Sequence, residues 1–127
     1  MESITVDVNW VAVIVGAVLA YALGGFWYSE KCFAKKWKAG IGTPAVLNMP
    51  MAPGMLTQAV GTFLLAWVIG VTETTGSLAL AILIALSIAT LIKANGFFGG
   101  KTKPAIFIET SFVLVMVIVM ILVHAVL

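Results

Sequence analysis

Apolar residues in this chain run rather than alternate. Residues 9–27, 54–72, 77–98 and 104–126 are mostly Val, Leu, Ile, Ala, Met, Phe and Gly, and polar residues collect in the gaps between them. Each run is roughly 20 residues long. At about 1.5 Å rise per residue, a helix of that length crosses a hydrocarbon layer about 30 Å thick. The pattern therefore predicts an all-α integral membrane protein, one domain over residues 1–127, with four transmembrane helices. The gaps are too short to hold a separate soluble domain.

The ends of the runs carry their own signals. Asp7 or Asn9 can cap the first helix, and Pro104 suits the first turn of the fourth, where a missing N–H costs little. The turn Glu73-Thr74-Thr75-Gly76 is short enough to make the second and third helices antiparallel neighbours. Ala20-Tyr21-Ala22 has the look of a signal-peptide cleavage site. The segment before it is acidic and lacks a positive n-region, so the first helix is expected to be retained. Trp10 at one end of that helix, with Trp27 and Tyr28 at the other, suits the two membrane interfaces.

Small residues recur on two helices. Ala12, Gly16, Ala20 and Gly24 repeat every four residues on the first, and Ser77, Ala81, Ala85 and Ala89 do so on the third. Such stripes let another backbone approach closely, in a tight bundle or at an oligomer seam. Beyond Ser111 the fourth helix is Val, Ile, Leu and Met with almost no small residues, and that face is expected to meet lipid.

Between the first two spans lies a different pattern. Phe33 and Trp37 share one helical face, and Lys31, Lys35 and Lys38 share another, with Lys36 between. Residues 29–39 are expected to form a short amphipathic helix in the membrane interface. Gly40, Gly42 and Pro44 end it. Its bland reading is an anchor that orients the protein; its sharper reading is a docking segment for a partner or for anionic lipid.

Charge then sets the topology. Only 9% of the chain is charged, against about 25% for a soluble protein. There is no Arg, and all seven Lys residues fall in or beside the two gaps that lie on one side of the implied membrane. The other side holds Glu2, Asp7 and Glu73. By the positive-inside rule the lysine-bearing gaps are cytoplasmic and both termini are outside, as in a bacterial inner-membrane protein. The two basic gaps hint at a duplicated hairpin, but the halves share little else. No basic stripe with interleaved aromatics points to nucleic acid.

The most specific polar pair is Lys93 and Glu109. Each lies eight residues from Lys101 at the hairpin centre, so the two share one depth on adjacent antiparallel helices. An ion pair fastening the third helix to the fourth is expected, with Asn95 and Thr110 adding hydrogen bonds. The alternative is a proton or cation path, because a charge at membrane depth is costly and often functional. Metal chemistry has little support. His124 is the sole His and Cys32 the sole Cys, on opposite sides of the membrane, and no Glu-x-x-His pair occurs. Met49, Met51 and Met55 lack the His or Cys that a soft-metal site would add. No Ser-His-Asp set, phosphate-cradling Gly motif or paired carboxylates suggest an enzyme. No cofactor is expected.

Asn9-Trp10, the segment Gly24-Gly25-Phe26-Trp27-Tyr28-Ser29, and then Phe33, Lys36 and Trp37 resemble the opening of domain-of-unknown-function family 1761, small bacterial membrane proteins with four helices. The turn Gly96-Phe97-Phe98-Gly99-Gly100-Lys101 before an apolar helix is similar to that family too. Where the family often carries Asn near the start of the last helix, this chain has Glu109. The resemblance implies an architecture and no mechanism. Small multidrug transporters share the length and span number, but their hallmark carboxylate in mid-helix 1 has no counterpart between Asp7 and Glu30. The expected role is a non-catalytic accessory or structural subunit, in a homo-oligomer or a larger membrane complex. The alternative is a small proton- or cation-coupled transporter or channel.

Overall fold

The computed structural model describes residues 4–28, 36, 37, 39 and 51–127, with residues 51 and 52 as backbone only. Among the described residues four helices are laid out: α1 (Trp10–Trp27), α2 (Met51–Thr74), α3 (Leu78–Phe98) and α4 (Lys103–Val126). Each is long and apolar enough to cross a membrane, and no strand occurs among the described residues. The chain is a multi-pass membrane protein. Most of the expected interfacial helix, including Lys31, Phe33, Lys35 and Lys38, lies outside the described residues, as do Cys32 and Met49.

Local chemistry explains the helix ends. Asn9 caps α1, its side-chain oxygen accepting from the Ala12 N–H at 3.1 Å. α2 begins at Met51 and takes in Pro53, which the first turn tolerates because its N–H would lack an intrahelical partner anyway. Both tight hairpins use one device. After α2, the Ser77 N–H bonds the Thr72 carbonyl and the Gly76 N–H bonds Glu73, with Gly76 at φ 68. After α3, the Lys101 N–H bonds Gly96 and the Gly100 N–H bonds Phe97, with Gly100 at φ 73. This is the Schellman arrangement, whose left-handed position favours glycine. In each case an N-cap follows at once, Ser77 for α3 and Thr102 for α4. Ser77 is thus a cap rather than a member of a packing stripe.

α4 lies at the centre. It touches α1, α2 and α3, whereas α2 and α3, although joined by a tight turn, share the least contact of the packed pairs. Phe112, Val113, Met116, Val117, Met120 and His124 of α4 are all buried. This reverses the expectation that α4 turns its large side chains to lipid. The reason is complementarity. The stripes on α1 and α3 open grooves, and α4, which has almost no small residues beyond Ser111, supplies the side chains that fill them. A Cβ built on Gly16 would lie 3.7 Å from Met120, and one on Gly24 would lie 3.1 Å from Phe112. Ala12, Ala20, Ala81, Ala85 and Ala89 are buried in the same interior. Residues of both stripes are therefore packed inside the chain.

α2 joins the bundle through Thr62, Leu65, Ala66, Ile69 and Gly70, all buried. Gly61 points outward, with nothing within 4 Å of a built Cβ.

Candidate functional site at the lysine-bearing end

The polar chemistry of the described residues gathers where α1 ends and α4 begins. Trp27, the last residue of α1, donates its Nε1–H to the Ile108 carbonyl of α4 at 3.0 Å. Tyr28 closes the helix, its backbone N–H bonding the Gly24 carbonyl at 3.1 Å. Its ring meets Phe112 edge-on at 5.4 Å and lies tilted 4.8 Å from Trp37, and Trp27 stands 6.2 Å from Phe112. These separations are those of favourable aromatic pairs. Gly24 gives Phe112 the room to enter the cluster.

Glu109 sits beside the aromatic cluster. Lys101 Nζ lies 2.9 Å from Oε1 and 2.8 Å from Oε2, and the Trp37 Nε1–H donates to Oε2 at 2.8 Å. The Glu109 side chain is 14% exposed and that of Lys101 is 32%. Both carboxylate oxygens are occupied by charge-assisted bonds. Burial first, and then the Glu109 charge, push the Tyr28 phenol above its ordinary value. Tyr28 therefore stays neutral at physiological pH.

Lys93 is not the partner of Glu109. It is exposed and makes no ion pair among the described residues. Helical geometry accounts for this. Residues four apart drift by about 40° around a helix of 3.6 residues per turn, so three steps from Ala81 carry Lys93 about 120° off the starting line. The face against α4 is continued by Gly96, whose built Cβ would lie 2.6 Å from Ile106. Lys101 is favoured instead because side chains lean toward their own helix N-terminus. Glu109 leans back toward the turn that presents Lys101. Of the two hydrogen-bonding side chains expected beside the pair, Thr110 has its Oγ1 buried without a partner and Asn95 is exposed.

The interfacial aromatics divide accordingly. Trp27, Tyr28 and Trp37 come together, while Lys36 is exposed. The residues that sequence reasoning missed are Lys101 as ion partner and Trp37 as indole donor. The Gly99-Gly100 turn signal was the one available clue to the first.

His124 occupies the opposite end of the bundle. It is buried, with Nδ1 3.0 Å from the Met120 carbonyl. A carbonyl can only accept, so Nδ1 carries the proton. Nε2 is buried without a partner, 3.2 Å from a Cβ built on Gly70. Nearby, Trp67 donates its Nε1–H to the Ile4 carbonyl at 2.6 Å and packs 5.3 Å from Trp10. Between the two ends, Val13, Gly16, Ala20, Leu65, Ala66, Ala85, Phe112, Met116, Val117 and Met120 form an apolar interior. No group of three or more His, Cys, Asp and Glu that could hold a metal occurs among the described residues.

The arrangement is a latch that ties the end of α1, Trp37 and the α3–α4 turn to the first turns of α4. Trp27→Phe keeps the ring against Phe112 but removes the bond to Ile108. A loss of about 1 kcal/mol is expected, read as a lower unfolding midpoint in detergent.

A family model described as "Protein of unknown function (DUF1761)" matches residues 11–125. No curated protein and no solved structure matches the chain.

Proposed function

The chain belongs to the DUF1761 family, and from that premise we propose that it is a non-catalytic membrane subunit that associates with copies of itself or with other membrane chains. The observation that carries this reading is a shallow notch on the outer surface between α1 and α2, lined by Ala17, Val18, Tyr21, Ala22 and Ala59. Three of its five residues are alanine. Tyr21 is held in place by donating its hydroxyl to the Met55 carbonyl at 3.1 Å. The stripes on α1 and α3 are filled by α4, whereas this notch leaves small side chains open to another helix.

Two further points support the reading. Glu109 is engaged by Lys101 and Trp37, which suits a fastening better than a shuttle. Among the described residues, the interior between Glu109 and His124 is packed mainly with apolar side chains. In this reading the protein sits in a bacterial inner membrane with the lysine-bearing end cytoplasmic and both termini outside, a topology that the positive-inside rule supports.

The test is the mass of the native complex after gentle extraction, with and without Ala22→Leu. Ala22 is exposed, so the substitution fills the notch and leaves the internal packing alone. The expected result is a complex larger than the monomer that shrinks in the variant. A monomer in both cases, together with pH-dependent flux in liposomes that Glu109→Gln abolishes, would establish the transporter alternative instead.

A further inference from the structure

Lys93 is an exposed cation within a membrane span, and the latch leaves it without an anionic partner among the described residues. α3, which carries it, is the span least covered by the rest of the chain. Toward the middle of the span from Lys93 lies a shallow groove lined by Leu86, Ser87, Thr90 and Leu91. Leu86 is seven residues before Lys93 and Thr90 three before it, so that edge of the groove lies in line with the cation, while Ser87 and Leu91 lie further round the helix.

The two hydroxyls in that groove make no demand on a ligand. Ser87 donates to the Leu83 carbonyl at 2.8 Å and Thr90 to the Leu86 carbonyl at 2.7 Å. The groove is therefore apolar in effect and suited to a hydrocarbon chain. Beyond Lys93, toward the end of α3, Phe97 and Phe98 are exposed, the latter 92%. From the middle of the span outward, the exposed surface of α3 carries apolar groove, cation and aromatics in that order of depth.

That order matches a phospholipid. Lys93 lies five residues before the end of α3, about 7.5 Å at 1.5 Å per residue, a depth from which a lysine stem can carry its ammonium toward the headgroup layer. A partner helix would have to hold a carboxylate at the same depth, which carries its own desolvation cost. A headgroup phosphate is already charged at the interface. Lys101 is engaged with Glu109 and is not free to hold a headgroup.

We infer that the outward face of α3 binds one anionic phospholipid, with its phosphate on Lys93 and an acyl chain along the groove of Leu86, Ser87, Thr90 and Leu91. This site is separate from the α1–α2 notch.

The experiment is native mass spectrometry of the intact protein with added phosphatidylglycerol or phosphatidylcholine of identical acyl chains. One phosphatidylglycerol per chain should be retained in preference to phosphatidylcholine. Lys93→Gln should cut that preference about fivefold, the effect of one basic residue near an anionic headgroup. Lys93→Arg should preserve it, and Thr90→Trp, which fills the groove, should lower retention of the lipid. Lys103→Gln is the control and should leave the one-lipid preference in place. Equal retention of the two lipids, an unchanged preference in Lys93→Gln, or a co-purifying chain released by Lys93→Gln would each overturn the inference.

Discussion

Gly70→Ala destabilises the bundle by about 1–3 kcal/mol, the usual cost of forcing one carbon into a filled interior. The added Cβ would lie 2.7 Å from Val13 Cγ2, 3.2 Å from His124 Nε2 and 3.3 Å from Val8 Cγ1. Val13 is fully buried and β-branched, so it has no spare rotamer to adopt. Moving His124 would break its bond to the Met120 carbonyl. The control is the same substitution at Gly61. It lies on the same helix but faces outward, and alanine there is expected to be neutral or to stabilise by up to about 1 kcal/mol through helix propensity. Unfolding midpoints of the two variants in one detergent check the pair. Equal shifts would mean that α2 does not pack on Val13 and His124 as described.

Glu109→Gln weakens the latch but does not dissolve it. The amide oxygen can still accept from Trp37 Nε1, while the charge that holds Lys101 is gone. Lys101 is about a third exposed and can return to water, so the loss is set at about 1–2 kcal/mol rather than the larger figure for a fully buried pair. Glu109→Leu removes both bonds and leaves the Trp37 donor unsatisfied in a half-buried position. A further loss of about 1 kcal/mol is expected. Lys93→Gln should leave stability unchanged, because Lys93 takes no part in the latch. Thermal unfolding of the three variants in detergent decides the ranking. A Lys93→Gln loss equal to that of Glu109→Gln would restore the pairing expected from depth alone.

The contrast between Lys93 and Lys101 shows what kind of information a linear pattern holds. Depth is a matter of counting along the chain, and counting placed Lys93 and Glu109 at one level. Whether two side chains meet also depends on how each helix is turned about its own axis. That rotation follows from the fit of Ala81, Ala85, Ala89 and Gly96 against α4. The small stripes teach the same lesson. Ala12, Gly16, Ala20 and Gly24 were legible as a surface for close approach, but their occupant was not. Met120 and Phe112 fill it from a helix whose composition suggested lipid exposure. Tyr28 and Trp37 are nine residues apart in the chain, and only the return of α4 brings Glu109 and Phe112 to them.

Four spans, the cap at Asn9, Pro104 in the first turn of α4 and the gathering of lysine at one end belong to the sequence. They depend on hydrocarbon thickness, backbone hydrogen bonding and charge, which act on neighbouring residues or on whole segments. The central place of α4, the Lys101–Glu109–Trp37 latch and the burial of His124 were decided by the tertiary structure. In lipid, where helices are no longer driven together by escape from water, the fit of large side chains into small-residue grooves selects their neighbours and rotation. That fit is a property of all four helices at once, and no single segment contains it.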